Sequence, residues 1–429
     1  MRGCARGWFL FFFAVALLTA AGFWMWTVVK KARHENSVTT SHQAPTPEKT
    51  PEPRPEIFVS PANEPWTLVL TEYEAWIRAQ LEKNLAPGMA TAIVQDTSVL
   101  FLKGFGYRKT TSLDTVDTHT VFRLGSVSKS ITGTLAARLV QERIIQWDDP
   151  VNKYFPGFQL QSPVQTSQTT LRHLLSHTVG LPYHAFTDRV DVGAPIDTLI
   201  YHLRDLPLVG TAGKVYSYQN VAFSVMGKVV EQAAQQPFEA VLASKLFAPL
   251  QMWDASATQH AMESNGNHAV PHRYMFRKWI PMRISHTYYN VAPAGGVNAS
   301  ISDMAQWLRS LTTSRPDFLD SATKSQMLAP YVRATARNRY FSKWKRSRKS
   351  YYGMGWRVLT FPGDTLYYHG GYVNGFRSEV AYYPKERIGI AVLVNAPGAL
   401  ADHALPEFFY RYEKQKTRSS RSLAKSTSL

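Results

Sequence analysis

The sequence predicts a mixed α/β (α+β) fold, in which an antiparallel sheet is flanked by helices and interrupted by an inserted all-helical domain. Strand-like runs lie near both ends of the folded region, whereas apolar residues in the middle recur at helical spacing. The adjacent runs Ala90–Gln95 and Ser98–Tyr107 predict an antiparallel pair. Four later runs predict further strands: Gly353–Leu359, Thr365–Tyr368, Ser378–Tyr383 and Ile388–Val394.

The predicted helices lie before, between and after these strands. Helical spacing of apolar residues predicts helices at Leu68–Leu85, Ser126–Glu142, Val221–Ala233 and Pro237–Phe247, and a last one from about Ala404 to Glu413. Most of the helical signal falls between residues of about 165 and 290. We therefore place the inserted helical domain there.

The first 65 residues differ in composition from the rest of the chain. After a short flank at 1–7, residues 8–29 contain no charged side chain, and basic residues lie on both sides. A helix of this length spans a hydrocarbon core of about 30 Å, so we predict a transmembrane anchor or a signal segment, and its cleavage stays open. Residues 30–65 are poor in apolar side chains and contain seven prolines, which predicts an extended linker.

The remaining chain is predicted to form one large catalytic domain at 66–413, followed by a basic tail at 414–429. Hydrophobic residues make up 45% and aromatic residues 13% of the 429 residues, which is sufficient for a sizeable core. Cys4 is the only cysteine, and this excludes an intrachain disulfide.

The net charge of +17 is concentrated in local runs of basic residues. Residues 333–349 contain eight Lys or Arg side chains, and the C-terminal tail contains several more. Such runs are typical of solvated loops and tails, so we predict that the chain does not bind nucleic acid. We expect the 333–349 segment to contact an anionic surface.

The first candidate for chemistry is Ser126-Val-Ser-Lys129. A serine hydroxyl is a poor nucleophile unless a base takes its proton. If Ser126 begins a helix, Lys129 lies one turn later on the same face, where its amine can contact the hydroxyl oxygen. Ser-x-x-Lys occurs four times, but only Ser126 follows an apolar stretch with a glycine and leads an amphipathic helix.

The second candidate is Tyr218-Gln-Asn220, which lies just before a predicted helix. A phenol close to a lysine can relay protons, because a neighbouring positive charge favours the phenolate. The amide of Asn220 can hold a substrate carbonyl. Taken alone, the pair is also compatible with a packed aromatic residue.

The third candidate is His369-Gly370-Gly371, which follows the predicted strand Thr365–Tyr368. Taken alone, this run predicts a loop. Its glycines would let a substrate approach the backbone. The N–H of Tyr372 would then supply one oxyanion donor, and the helix start at Ser126 would supply another.

In this order, the three motifs resemble those of the serine β-lactamase-related family, which includes class C β-lactamases, DD-carboxypeptidases, esterases and D-aminopeptidases. The resemblance covers roughly residues 66–413 and includes the segments Phe122–Lys129 and Leu171–Pro182. It implies an α/β domain and a helical domain with the active site in the cleft between them. It also implies acyl transfer through a seryl intermediate.

Applied residue by residue, the resemblance implies that Ser126 is the nucleophile and that Lys129 and Tyr218 share proton transfer. The residues that it implies for substrate binding are Asn220, His369, Gly370, Gly371 and Tyr372. His369 stands where many members have lysine, and a neutral imidazole holds a substrate carboxylate less firmly. This departure disfavours efficient β-lactamase activity.

We therefore expect a serine hydrolase that acts on amide, peptide or ester bonds of a small-molecule or peptide substrate, as a DD-peptidase, an esterase or a weak β-lactamase. The expected location is a single-pass membrane protein with its catalytic domain on the periplasmic or another extracytoplasmic side. The alternative is a catalytically inactive, membrane-tethered protein that binds cell-wall polymer or anionic lipid. No metal or cofactor is expected, because His173 and His177 have helical spacing but no evident third ligand.

Overall fold

An eight-stranded antiparallel sheet forms the centre of the fold. In this computed structural model, the described residues are 56–334, 343–344 and 347–426, with side chains up to residue 419. The strand order is β2-β1-β12-β11-β10-β9-β8-β7, so strands from both ends of the domain are neighbours. These strands are β1 (Gly88–Gln95), β2 (Ser98–Gly106), β7 (Val332–Arg333), β8 (Lys349–Tyr352), β9 (Arg357–Phe361), β10 (Asp364–Val373), β11 (Phe376–Tyr383) and β12 (Ile388–Val394).

Two further strand pairs lie outside the large sheet. The first joins β3 (Phe122–Arg123) to β6 (Asn298–Ala299) just before the Ser126 motif. The second is a hairpin of β4 (His272–Met275) and β5 (Lys278–Pro281). This hairpin lies in the region predicted to be all helical. The sequence did not indicate it because its strands are only four residues long and its turn lacks the usual Asn or Gly.

Helices cover both faces of the sheet and form most of the middle of the chain. Their bounds are α1 (Glu64–Glu82), α2 (Ser128–Gln141), α3 (Pro163–Gln168), α4 (Leu171–Leu175), α5 (Thr187–Asp191), α6 (Ile196–Tyr201), α7 (Asn220–Ala234), α8 (Phe238–Leu242), α9 (Gln259–Ser264), α10 (Ala292–Gly295), α11 (Ile301–Thr312), α12 (Ser321–Leu328) and α13 (Ala399–Ser426). A π-helical turn at Ala243–Phe247 follows α8.

Two hydrophobic cores lie on opposite faces of the sheet. Helices α1 and α13 pack together on one face, where Trp66 stacks against Phe408 with 6.2 Å between ring centroids. Helix α11 covers β1 and β12 on the other face, and its core continues into the helical region around α2 and α7. Because α2 belongs to this second core, its N-terminal end is held at the junction between the sheet and the helical region.

The predicted strand Gly353–Leu359 is wrong in its first half. The chain turns at residues 353–356 between β8 and β9, and Gly355 has a φ of +80°. A Cβ at Gly355 would lie 2.2 Å from the carbonyl oxygen of Lys129, and the hydroxyl of Ser130 donates to the Gly355 carbonyl at 2.7 Å. The turn therefore departs from the sheet in order to pack closely against the start of α2.

The predicted loop at His369–Gly371 is also wrong, because these residues lie inside β10. The backbone of β10 continues without a break from Asp364 to Val373, and Gly370 and Gly371 pair with Glu379 and Ser378 of β11. Pairing with a long, fully buried neighbour therefore outweighs the flexibility of the two glycines.

The ends of the domain differ from their predicted bounds. Helix α1 begins at Glu64, with Asn63 as its N-cap, and Val59 already pairs with Val99, so the last residues assigned to the linker belong to the folded domain. Helix α13 extends to Ser426 through much of the predicted basic tail. The predicted anchor at 8–29 lies outside the described residues, and no helix within those residues is long and apolar enough to cross a membrane.

One residue of the basic segment 333–349 has a different role from the one predicted. Lys343 is almost fully buried, and its amine lies 2.8 Å from the buried carboxylate of Glu379. Arg377 contacts the other oxygen of the same carboxylate at 2.6 Å. A buried carboxylate needs such partners, so Lys343 neutralises an internal charge. By contrast, Arg333, Arg348 and Lys349 are exposed.

Candidate active site

Ser126 lies in a tight turn between β3 and α2. Residues Gly125–Val127 form a single 3₁₀ turn, and the regular helix begins at Ser128, two residues later than predicted. Gly125 has a φ of +51°, which the turn needs and which side chains disfavour. Ser126 is half-buried between buried neighbours. The turn therefore presents this serine at the surface of an otherwise closed segment.

Strand β10 passes directly against this turn. A Cβ at Gly371 would lie 2.1 Å from the Leu124 carbonyl oxygen and 3.0 Å from the Ser126 backbone nitrogen. A Cβ at Gly125 would lie 2.9 Å from the Tyr372 backbone nitrogen. No side chain can separate the two segments, so the amides of Ser126 and Tyr372 are neighbours. Two neighbouring backbone amides are one requirement of an oxyanion site.

The Lys129 side chain is fully buried and is held by two oxygen acceptors. Its amine donates to the Asn220 side-chain oxygen at 2.7 Å and to the Ala294 carbonyl at 2.8 Å. It also lies 4.6 Å from the centre of the Tyr218 ring. Within the described structure, no hydrogen bond joins this amine to the Ser126 hydroxyl, so the direct contact expected from the spacing is absent.

The pKa of Lys129 lies well below its ordinary value. Burial is the larger cause, because removal from water disfavours the charged ammonium, and the positive charge of Arg357 adds to the effect. A neutral amine can accept a proton. The lowered pKa therefore favours the neutral form of Lys129, which is the form that could act as a base.

Asn220 begins α7 and Tyr218 lies just before it, and both side chains contact the Lys129 amine. The turn before the helix is fixed because the Gln219 N–H donates to His177 Nδ1 at 3.1 Å. The Tyr218 carbonyl accepts from the His184 N–H at 2.9 Å. The structure therefore brings together Lys129, Tyr218 and Asn220 as the sequence predicted.

His369 has surroundings that differ from those expected for a substrate ligand. Its side chain is fully buried, with Nε2 3.0 Å from the Tyr352 hydroxyl and Nδ1 3.1 Å from Arg357 Nη1. Its pKa lies well below the ordinary value because of burial and, next, the charge of Arg357. Nδ1 also lies 3.1 Å from the Gly370 carbonyl oxygen, so a donor and an acceptor both face this ring nitrogen. His369 thus contacts Tyr352 and Arg357, two other buried side chains of the site.

Arg357 is a site residue that the sequence analysis missed. It lies on β9 opposite Tyr368, is fully buried, and its guanidinium lies 5.6 Å from the centre of the Tyr218 ring. It also contributes to the lowered pKa values of Lys129 and His369. A single arginine after Trp356 carries no sequence signal. Only the pairing of β9 with β10 reveals its position.

The histidine pair considered as a metal site is used in backbone contacts. His173 Nδ1 accepts from the Thr170 N–H at 3.1 Å, and His177 Nδ1 accepts from Gln219, as described above. His177 also packs against the Tyr218 ring at 4.2 Å. Among the described residues, no group of three or more His, Cys, Asp or Glu side chains is placed to hold a metal ion.

The sequence of this chain is similar to those of known proteins. A family model described as Beta-lactamase matches residues 73–410. The chain is 24% identical over 331 residues to "Unguisins hydrolase ungD'" of Aspergillus campestris, covering 75% of this chain and 60% of that protein. It is 23% identical over 325 residues to "Protein flp" of Staphylococcus aureus, covering 74% and 61%. The chain thus spans about three-fifths of the length of these relatives.

A solved structure supports the fold independently. The octameric penicillin-binding protein homologue from Pyrococcus abyssi matches with a TM-score of 0.67 and 24% identity, covering 78% of this chain and 76% of that one. The predicted mixed α/β fold class, with an antiparallel sheet flanked by helices, is confirmed by this similarity and by the eight-stranded sheet, although the insertion predicted to be all helical contains the β4–β5 hairpin.

The buried amine of Lys129 predicts a pH-dependent effect on stability. The folded pKa is lowered, so the unfolded chain binds more protons than the folded one between the folded pKa and about 10.4. The free energy of unfolding of the wild type therefore increases with pH in this window. The cost of burying the Lys129 amine is greatest at pH values below the window. Lys129→Met removes this contribution, changing the slope by up to about 1.4 kcal/mol per pH unit.

Urea unfolding at several pH values between about 8 and 10 measures this difference. Lys83→Met is the control, because Lys83 is exposed at the C-terminal end of α1. We expect its stability curve to run parallel to that of the wild type. Parallel curves for Lys129→Met as well would show that the amine is charged in the folded state.

Proposed function

The chain belongs to the Beta-lactamase family, and we propose that it is a serine hydrolase that acts through a covalent acyl-enzyme. The bonds that it cleaves are amide, peptide or ester bonds, as in a DD-peptidase, an esterase or a weak β-lactamase. The observation that carries the proposal is the buried Lys129 amine, held by Asn220 and Ala294 beside Tyr218. Burying a charged amine is costly, and the neutral form avoids most of that cost.

In the proposed reaction, the Ser126 oxygen attacks the substrate carbonyl carbon. Its proton passes to the neutral Lys129 amine, either directly or through the Tyr218 hydroxyl. The carbonyl oxygen becomes an oxyanion, which the neighbouring N–H groups of Ser126 and Tyr372 stabilise. When the tetrahedral intermediate collapses, the same proton goes to the leaving nitrogen or oxygen.

A water molecule then completes the turnover. It attacks the acyl carbon and gives its proton to the same base, and the Ser126 oxygen leaves and recovers a proton. Asn220 has two roles in this scheme. Its side-chain oxygen accepts from the Lys129 amine and orients it, and its side-chain nitrogen can donate a hydrogen bond to a substrate carbonyl. The free acid is released.

The surroundings of His369 favour some substrates over others. A lysine at this position would offer an ammonium to a substrate carboxylate, whereas His369 is neutral and engaged with Tyr352 and Arg357. We therefore propose substrates that do not depend on a carboxylate at this point. The name of the Aspergillus relative, a hydrolase of unguisins, is compatible with amide or ester cleavage of this kind.

The alternative proposal is a catalytically inactive, membrane-tethered binding protein for cell-wall polymer or anionic lipid. It shares the proposed single-pass location, with the domain on an extracytoplasmic side, and the exposed basic residues Arg333, Arg348 and Lys349 would serve it. An inactive protein has no need of a desolvated amine held by Asn220 and Ala294 next to Tyr218. This difference favours the hydrolase.

Covalent labelling distinguishes the two proposals. We expect a serine-directed fluorophosphonate or a fluorescent penicillin to label the wild-type chain, and Ser126→Ala to abolish labelling. Lys129→Ala should slow labelling by roughly 10²- to 10⁴-fold, the usual contribution of a positioned base. In-gel fluorescence and the mass of the adduct measure this.

The chain supplies a matched control for that experiment. Ser321 and Lys324 form a second Ser-x-x-Lys motif at the start of α12, outside the site. Ser321→Ala should label as the wild type does. A well-folded wild-type chain that none of these reagents labels would favour the binding protein.

The charge of Arg357 predicts a shift in the pH profile of labelling. This charge lowers the Lys129 pKa, so Arg357→Gln should raise that pKa and move the acid limb of the labelling rate to higher pH. Arg357→Lys keeps a positive charge and should restore much of the wild-type profile. A lower rate with an unchanged profile in Arg357→Gln would limit Arg357 to a packing role.

Arg123→Gln is the matched control for the loss of a buried arginine. Arg123 is equally buried but donates to the Ser285 and Thr287 carbonyls at 2.8 and 2.7 Å, and it does not affect the Lys129 pKa. Its acid limb should coincide with that of the wild type.

A further inference from the structure

The β4–β5 hairpin exposes an aromatic side chain at its tip. Met275 pairs with Lys278, so Phe276 and Arg277 form a two-residue turn, with φ values of 52° and 61°. This conformation is best suited to Asn-Gly, and a bulky residue there is strained. Phe276 is nevertheless 84% exposed and Tyr274 is 52% exposed. The turn thus displays apolar surface that contributes nothing to the core.

The same hairpin is strongly basic. Arg273, Arg277, Lys278 and Arg283 are all exposed, and residues 271–283 contain no acidic side chain. Within the part of the chain that the structure describes, no carboxylate forms an ion pair with any of these four. An aromatic residue surrounded by unneutralised cations is the composition of segments that lie in the interface of an anionic membrane.

A second exposed apolar residue lies in a loop attached to this hairpin. Leu113 is 88% exposed. In the same loop, Thr110 donates its backbone N–H to His272 Nε2 at 3.2 Å and its hydroxyl to the Trp279 carbonyl at 3.2 Å. Lys109 beside it is exposed as well. The loop therefore extends the apolar and basic surface beyond the hairpin.

The base of the hairpin is rigid, although its tip is exposed. His272 Nδ1 donates to the Asn395 carbonyl at 3.1 Å, and the Trp279 indole donates to the Asn84 carbonyl at 2.9 Å. The tip is thus held at a fixed position on the sheet domain. The β10–β11 turn lies against this base, since a Cβ at Gly375 would be 2.9 Å from the His272 carbonyl oxygen. Strand β10 leads from that turn back to Tyr372 and the oxyanion site.

We propose that the hairpin 271–283 and the adjoining loop 109–113 form a docking surface for an anionic phospholipid bilayer. Phe276 and Leu113 enter the interfacial layer, and the surrounding Lys and Arg side chains contact the lipid head groups. A cluster of four or more basic residues beside exposed apolar side chains is typical of reversible attachment to an anionic membrane. Docking here would fix the mouth of the site close to the membrane surface.

Charge and shape favour a bilayer over a protein partner. The two apolar side chains lie in separate turns, the hairpin contains no acidic residue, and the acidic residue next to Leu113, Asp114, is paired with Arg108 at 3.2 Å. A protein–protein interface of standard size has a broad, closely packed centre, which two separate apolar side chains do not form. This docking surface does not depend on hydrolase activity.

A fluorescent label at position 276 tests the proposal on the full chain. Cys4 is the only cysteine, so Cys4→Ser with Phe276→Cys gives a single site for an environment-sensitive dye. We expect the emission to increase and shift to the blue with vesicles of phosphatidylcholine and phosphatidylglycerol. The change should be much smaller with phosphatidylcholine alone and should decrease at high salt.

Two controls make the result specific. A dye at Val164→Cys, which is 65% exposed on α3, should show no such change. With the dye at 276, Arg277→Gln with Lys278→Gln should lose more than half of the response, whereas Lys153→Gln with Arg189→Gln removes the same net charge and should not. No change at 276, equal changes at 276 and 164, or a change that needs no vesicles and depends on protein concentration would overturn the proposal.

Discussion

The burial of one amine is the constraint on which the rest of the site depends. Lys129 is removed from water, and its nitrogen is left with two oxygen acceptors, Asn220 and Ala294. Each comes from a different part of the chain, so the amine is enclosed only where the helical region packs against α2, the helix that carries Lys129. The cost of this burial opposes folding, and the surrounding cores on both faces of the sheet offset it. A site that lowers stability in this way is typical of function.

Close backbone packing maintains this arrangement. Three glycines allow it: Gly125 and Gly371 bring β10 against the Ser126 turn, and Gly355 brings the β8–β9 turn against the Lys129 carbonyl. Side chains at these positions would separate the sheet from α2 and so move the amides of Ser126 and Tyr372 apart. Behind them, Arg357, His369 and Tyr352 form a buried polar layer, and the charge of Arg357 helps to lower the pKa of the Lys129 amine. Elsewhere in the sheet domain, the buried carboxylate of Glu379 is neutralised by Lys343 and Arg377.

The sequence was sufficient for those features that depend on local spacing. The order of the motifs and their resemblance to a family predicted Ser126, Lys129, Tyr218 and Asn220 as one group, and the structure places the Lys129 amine against Tyr218 and Asn220. The sequence failed for residues whose structure depends on pairing between strands that are distant in the sequence. His369–Gly371 looked like a loop because two glycines outweigh their neighbours until β11 pairs with them. Arg357 gave no signal, since its role arises from strand register alone, and Lys343 looked solvated until Glu379 was found beside it.

The charge state of Lys129 is the central claim, and nuclear magnetic resonance of lysine side chains measures it most directly. With carbon-13 at the lysine Cε positions, the resonance that is missing from Lys129→Met spectra belongs to Lys129. We predict that this resonance titrates at a pH well below that of the other lysines, or shows the shift of a neutral amine throughout the range in which the protein is folded. Titration together with the surface lysines, near their ordinary value of about 10.4, would contradict the account.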